Sequence, residues 1–245
     1  MRLDHVTWLE VEEHIRQLPV IILPTGSTEQ HGPMGMIGTD SICAETIAEK
    51  VAENVNCLVA PTLCYTPAEF NMAFPGTMSI SADLLEQVFA QIVDGLSRHH
   101  FKLIYVLNGH GANLEPMQKV SRETENTKIR IRSWWDFEPV NELRRKWYGD
   151  WEGMHATPSE VSITQATHRI IPPGDAATPP EKLSQEFIKD HAGDRHGSPH
   201  EHRKQFPDGR VGSHSALAKP DHGEQLLNAA VEAVTEDLKT AYSNI

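Results

Sequence analysis

The first clear pattern along the chain is a continuous apolar run, Val20-Ile21-Ile22-Leu23, ending in Pro24-Thr25-Gly26. A run without alternation is what a strand looks like when both faces of a parallel sheet are covered by helices. Leu103-Ile104-Tyr105-Val106-Leu107 repeats the design and leads into Asn108-Gly109-His110. Shorter β-rich runs fall at Cys57 to Leu63 and Ile129 to Trp134. Between them the period becomes helical. Cys43, Ile47 and Val51 recur every four residues behind Thr39, which is expected to cap that helix, and Leu85, Val88, Phe89, Ile92 and Leu96 follow Ser81. Val161 to Ile170 and Leu226 to Tyr242 predict two more helices. Strands alternating with helices predict an α/β protein of three layers, α/β/α, around a mostly parallel central sheet.

In such sheets ligands bind in the crevice outside the carboxyl ends of the strands, so the residues just after the apolar runs matter most. Thr28-Glu29-Gln30-His31-Gly32-Pro33 follows the first run. Glu29 and His31 are two apart, which on an extended segment points both side chains the same way. A carboxylate beside an imidazole suits Zn, Mn or Fe(II) better than Ca or Mg. His110 puts a second imidazole at the end of another strand. Asp40 falls in the first turn of the helix behind Thr39, where the dipole favours a carboxylate and from which it can turn outward to bridge two metals. Each has an ordinary alternative: a dipole partner for Asp40, a loop or core role for a lone histidine, a tight strand-to-helix turn for the glycines beside His110. Their joint occurrence at the ends of buried strands points to a metal site.

These residues carry a resemblance. Gly26-Ser27-Thr28-Glu29-Gln30-His31-Gly32-Pro33, Asp40, Phe74-Pro75-Gly76-Thr77, Asn108-Gly109-His110-Gly111-Ala112-Asn113, Ser133-Trp134-Trp135-Asp136-Phe137 and Trp151-Glu152-Gly153-Met154-His155 with Ser159-Glu160 are similar, in order and approximate spacing, to the signatures of the creatininase (creatinine amidohydrolase) family. The similarity runs from about residue 20 to residue 165 and is looser beyond. It implies a creatininase-like fold and a metal-dependent amidohydrolase. It also implies that Asp40 bridges two divalent metals, that Glu29 and His110 complete the ligands of one, and that His31 belongs to the other. His155 matches a proton-shuttling histidine, and Trp135 and Trp151 match tryptophans flanking the substrate. Related proteins form ring-like hexamers, so a homohexamer is implied as well. The chain departs from the pattern once: where creatininase carries a further metal-binding glutamate two residues after the histidine of Asn-Gly-His, this chain has Ala112. Three outcomes stay open: an asymmetric metal pair, a weak or absent second ion, or Glu160 as substitute ligand.

The chemistry follows from the residue types. Two divalent ions sharing a carboxylate lower the pKa of a bound water from near 16 toward about 7 and polarise a carbonyl, which suits addition of hydroxide to an amide carbon. His155, with an imidazole pKa near the working pH, is the candidate proton donor for the leaving nitrogen, and Glu160 is the second catalytic candidate. Two tryptophan walls suit a flat, delocalised substrate. The expected activity is hydrolysis of a C–N bond, other than a peptide bond, in a small cyclic or linear amide. The alternatives are a formamide deformylase acting on a pyrimidine nucleotide intermediate, cleavage of a peptide bond in a maturation reaction, a metal-binding protein without turnover, and a structural oligomer without metal; buried carboxylates without purpose argue against the last.

Composition narrows the partners. The 245 residues are 39% hydrophobic, enough for a substantial core, and no Pro/Gly/Ser-rich linker divides them, so one domain over residues 1–245 is expected. With 34 acidic against 22 basic side chains the net charge is −12, which excludes nucleic acid and anionic membrane as partners for want of a basic stripe. Cys43, Cys57 and Cys64 form no CxxC pair and read as reduced thiols. No signal-like apolar core opens the chain, and no run approaches the roughly 20 apolar residues of a membrane span, so a cytoplasmic location is expected. The Pro-, Gly- and Asp-rich stretch from Ile171 to Ala216, with His191, His196, His200, His202 and His214, is expected to cover a site or interface, subunit contact being its favoured use, rather than to bind metal.

Overall fold

In the computed structural model, which describes residues 1–193 and 195–243, the chain runs α1 (Trp8–Gln17), β1 (Val20–Thr25), α2 (Thr39–Val55), β2 (Leu58–Val59), α3 (Ala82–Arg98), β3 (Leu103–Asn108), α4 (Leu114–Glu123), β4 (Lys128–Ser133), α5 (Glu138–Trp147), α6 (Pro158–Thr167), α7 (Gln185–Asp190), α8 (Pro199–Gln205) and α9 (Pro220–Ser243). The sheet order is β2-β1-β3-β4, and every pairing is parallel.

The strand alternation sorts the core into two halves. Val20 and Ile22 of β1 and Leu103, Tyr105 and Leu107 of β3 face one side, packed with residues of α2, α5, α6 and α9. Ile21 and Leu23, with Ile104 and Val106, face the other, packed with α3 and α4 and partly covered by Val11 and Ile15 of α1. This is the three-layer α/β/α arrangement, and it explains why the two central strands show no alternation: both of their faces are interior. β4, at the edge, is only partly buried until Ser133.

Several boundaries differ from expectation. Only Leu58 and Val59 of the run from Cys57 to Leu63 form a strand, Leu63 returning as a single bridge to Thr25. Thr39 is not the cap of α2; Gly38 holds that position and the Thr39 hydroxyl donates to the Met36 carbonyl. α6 begins at Pro158 rather than Val161, because Thr157 and Glu160 form a capping box ahead of a proline at the first turn. α9 begins at Pro220, before Leu226.

Two glycines let the strand ends and α2 come together. A Cβ on Gly26, just past β1, would lie 2.4 Å from the Ser41 backbone nitrogen; one on Gly109, just past β3, would lie 2.3 Å from the Asp40 carbonyl oxygen. No other residue fits such an approach. The C-terminal residues of three strands, Thr25, Asn108 and Ser133, are in register. Asn108 ties them into a polar row, its Oδ1 accepting from the Thr25 hydroxyl (3.0 Å) and its Nδ2 donating to Ser133 Oγ (3.2 Å) and to the His110 carbonyl (2.7 Å). The floor of the crevice is thus fixed by side chains that satisfy one another.

Candidate active site

Glu29, His31, Asp40, His110, His155 and Glu160 converge above this floor, none more than 7% exposed. Three triads have one ligand-type atom from each residue within 4.8 Å of the others: Glu29, Asp40 and His110; His31, Asp40 and Glu160; and Glu29, His31 and His155. Asp40 links the first two. Its Oδ1 lies 2.8 Å from His31 Nε2, and its Oδ2 lies 3.0 Å from His110 Nδ1. Glu29 Oε1 is 3.1 Å from the same His110 nitrogen.

Each imidazole is oriented by a backbone carbonyl. The Glu29 carbonyl lies 3.1 Å from His31 Nδ1 and the Pro67 carbonyl 2.6 Å from His110 Nε2. A carbonyl can only accept, so it fixes the proton on that ring nitrogen and turns the other nitrogen toward the carboxylates. Asp40 Oδ2 accepts from Ser27 Oγ (2.7 Å), and Glu29 Oε2 from Asn71 Nδ2 (2.9 Å). Glu160 receives its capping hydrogen bond from the Thr157 amide.

Electrostatically the cluster calls for positive charge. Burial opposes protonation of His31, yet Asp40, with Glu160 and Glu29 beyond, outweighs it and raises the imidazole to about 10. His110, against the same burial, is raised well above the usual range by Glu29 and Asp40. Glu160 is raised to about 7, first by burial and then by Asp40 and Glu152, with His31 opposing. Burial would raise Asp40 too, but the two imidazoles hold it well below the ordinary range. Among the described residues the ion pairs of Glu29 and Asp40 are all with histidines. Three buried carboxylates with no lysine or arginine ion-paired to them among the described residues, each imidazole locked with one nitrogen inward, fit divalent cations of the N/O-loving kind.

His155 differs from the other imidazoles. Burial, then the neighbouring His31, drives its pKa well below the usual value, so it is neutral near pH 7. Nε2 lies 2.7 Å from the Gln30 carbonyl and 3.3 Å from Asn71 Nδ2; the shorter contact, to an acceptor, assigns the proton to Nε2. Nδ1 then presents a lone pair toward the cluster, 3.7 Å from Glu29 Oε1. The backbone around His155 is held by left-handed residues on either side, Gly153 (φ +64) and Ala156 (φ 57), and by pairing with Val211.

Over the cluster lies a cavity of about 180 Å³, lined among others by Asp40, His110, His155, Glu160, Trp134, Trp135 and Arg144. Trp135 is therefore at the site. Trp151 is not among the lining residues; it lies beside His214, with Lys182 Nζ 4.6 Å over its ring. A larger hollow of about 670 Å³ within the Ile171-to-Ala216 stretch is lined by none of the six convergent residues. That stretch also backs the site: Gly209 accepts from Gln30, and His202 packs on Phe70, which packs on His155. None of His191, His196, His200, His202 and His214 joins a ligand triad among the described residues.

Asn71, Ser27 and Arg144 went unnoticed as site residues in the sequence. A single polar residue in a loop has no periodicity, and only Ser27 lies inside a motif.

Fold and site define an α/β/α protein with a carboxylate- and imidazole-lined crevice at the strand ends. The creatininase family profile, described as creatinine amidohydrolase, matches residues 4–238, and the chain belongs to that family. Its relatives are hydrolases, among them the creatinine amidohydrolase of Pseudomonas putida, 27% identical over 97% of this chain and 95% of its own. A 3-dehydro-scyllo-inosose hydrolase of Thermotoga maritima is 31% identical over 43% of this chain and 34% of its own. A crystal structure of creatininase superposes with a TM-score of 0.80 over 98% of this chain and 96% of that one, at 22% identity. A Bacteroides fragilis protein described as a putative creatinine amidohydrolase superposes with a TM-score of 0.74 over 98% and 96%, at 20% identity.

Proposed function

We propose that this member of the family is a divalent-metal-dependent amidohydrolase that cleaves a C–N bond of a small amide with water. The observation that carries this reading is the shared carboxylate: each oxygen of Asp40 faces a different histidine, so one residue serves two ligand triads. Glu29, Asp40 and His110 would hold one ion, and His31, Asp40 and Glu160 the other. Glu160 thereby takes up the ligand that Ala112 cannot supply. Creatininase structures described as manganese and zinc forms are in line with this donor set.

A bound pair would supply Lewis acidity and hydroxide at neutral pH. The chain's own part is to position and to move protons. His155, neutral and with Nδ1 toward the cluster, accepts the proton of the attacking water and delivers it to the leaving nitrogen. Asn71 donates to Glu29 and accepts from the Gln30 side chain, and the Gln30 carbonyl takes the His155 Nε2 proton, so acid–base group and ligand are kept in register through Gln30. Trp135 forms one wall against which a planar amide can lie.

The relatives are named for creatinine, for a mycofactocin precursor peptide and for 3-dehydro-scyllo-inosose, so family membership leaves the substrate open. The cavity, smaller than the roughly 300–1,000 Å³ of drug-sized sites, favours a small amide over a peptide or nucleotide held whole. We propose the homohexamer and the single creatininase-like amidohydrolase domain over residues 1–245 as parts of the same reading.

The test is metal analysis of the purified protein with a panel of small amides. Tightly bound Zn, Mn or Fe with turnover of an amide is expected. Protein that binds none of these metals at any occupancy would end the proposal.

A further inference from the structure

Among the described residues, the cavity is lined by a cation that the chemistry above does not use. Arg144, on α5, lines it beside Trp134 and Trp135. Its Nε donates to Glu152 Oε1 (3.0 Å) and its Nη1 to Asn141 Oδ1 (2.7 Å). A guanidinium carries five N–H donors, so three are left, both of those on Nη2 among them, with no hydrogen-bond partner among the described residues. Glu152 is itself buried, accepts also from Ser159 Oγ, and leaves its Oε2 unpartnered. A carboxylate held in that way fixes the Nε edge of the arginine, and the side chain lines the cavity with its Nη2 donors unpaired among the described residues.

We propose that Arg144 is the substrate-anchoring residue of this site and that the substrate is an amide bearing a carboxylate, such as an N-acyl amino acid. This rests on the metal-hydrolase reading for its chemistry but not for its binding. Arginine suits the task because its planar fork matches a carboxylate bidentately, whereas a lysine offers a point charge. With Glu152 already neutralising the guanidinium in part, the anion adds to a preorganised pair rather than meeting an isolated charge. The small volume favours a carboxylate on a short stem over a nucleotide phosphate. Binding by this fork would set the carbonyl at a fixed distance from the ligand residues that line the same cavity.

The experiment compares N-acetylglycine with its neutral isostere N-acetylglycinamide on the metal-loaded protein, in the parent, Arg144→Gln and Arg144→Lys. Binding is followed by calorimetry and by quenching of tryptophan fluorescence, and turnover by release of acetate. The parent is expected to bind the carboxylate about tenfold to a hundredfold more tightly than the amide. Arg144→Gln should abolish that preference by raising KM for the acid alone, and Arg144→Lys should restore part of it. A preference that survives Arg144→Gln assigns the anion to the metals and overturns the proposal, as does equal binding of the two compounds by the parent. If neither compound is hydrolysed but the preference and its loss are seen, the anchor stands and the choice of reaction falls. Unchanged circular dichroism and melting of Arg144→Gln guard against a folding defect; should it misfold, Arg144→Lys alone decides, because it keeps the charge while losing the fork.

Discussion

At the scale of single residues, Asp40 is the position on which the site depends. Its two oxygens pair with both His31 and His110, so Asp40→Ala should strip metal more completely than either single histidine change. Equal metal content in Asp40→Ala and the parent, by atomic emission on gel-filtered protein, would remove the bridging role. His155 should behave in the opposite way. His155→Ala is expected to keep its metal and lose on the order of 10²–10⁴ in turnover; unchanged turnover would return it to a structural part. The same residues set the pH dependence of metal uptake. In the metal-free protein His31 and His110 are raised, the first to about 10, and Glu160 to about 7. At pH 7 these groups carry protons that a cation must displace, so metal affinity should rise with pH and binding should release protons. Calorimetry in buffers of different ionisation enthalpy reads the number directly, and zero release at pH 7 would contradict the assignment. Glu29, His31, Asp40 and His110 were legible in the sequence because each follows a buried strand or opens a helix. Asn71 was not, since nothing in Phe70-Asn71-Met72 distinguishes a buried amide from an exposed one. Glu152 lay inside a quoted motif, but its pairing with Arg144 depends on a helix that no strong period announced.

At the scale of elements, the site depends on how closely strand ends approach α2. β1 and β3 were readable because both of their faces are interior. β2 and β4 were readable only in part: β2 pairs over two residues, and the edge strand β4 mixes Lys128, Arg130 and Arg132 with its apolar positions. Helix starts were less legible than helix existence, as α6 shows. Its capping box recruits Glu160, a residue whose side chain also faces His31 and Asp40. Thr157→Ala removes the hydroxyl that accepts from the Glu160 amide, at a cost of roughly 1 kcal/mol, and loosens the first turn that carries Glu160, while the Thr157 amide still donates to its carboxylate. The expected result is a modest fall in stability with a larger fall in occupancy of the second ion, read by denaturant titration and metal stoichiometry. A variant that loses stability and keeps both ions would separate Glu160 from the metal. The close approach at Gly109 is the stricter constraint. A methyl group there would press on the Asp40 carbonyl, so any side chain at this position must push β3 and α2 apart where His110 and Asp40 meet.

At the scale of the whole molecule, charge and metal are linked to stability. The chain carries a net charge of −12, and three of its carboxylates, Glu29, Asp40 and Glu160, are buried together. Burying an ion costs several kcal/mol unless it is paired, and here the pairing within the protein is by imidazoles whose protonation burial resists. Bound cations would remove that cost, and they bind only the folded arrangement, because the ligands come from the ends of two strands and from two helices far apart in sequence. Stabilisation by mass action reaches about 4 kcal/mol when the free ion exceeds its Kd by about a thousandfold. For a chain of this size each kcal/mol moves Tm by roughly 2–4 °C, so chelation should lower Tm by about 8–16 °C and re-addition of metal should restore it. The two core halves share the sheet between them, and the transition is therefore expected to remain a single step in both forms. Calorimetric scans with and without chelator, with metal content measured on the same samples, test both expectations. Complete removal of metal with no change in Tm would mean that the six convergent residues are stable without a cation, and the ligand assignment would then have no energetic basis.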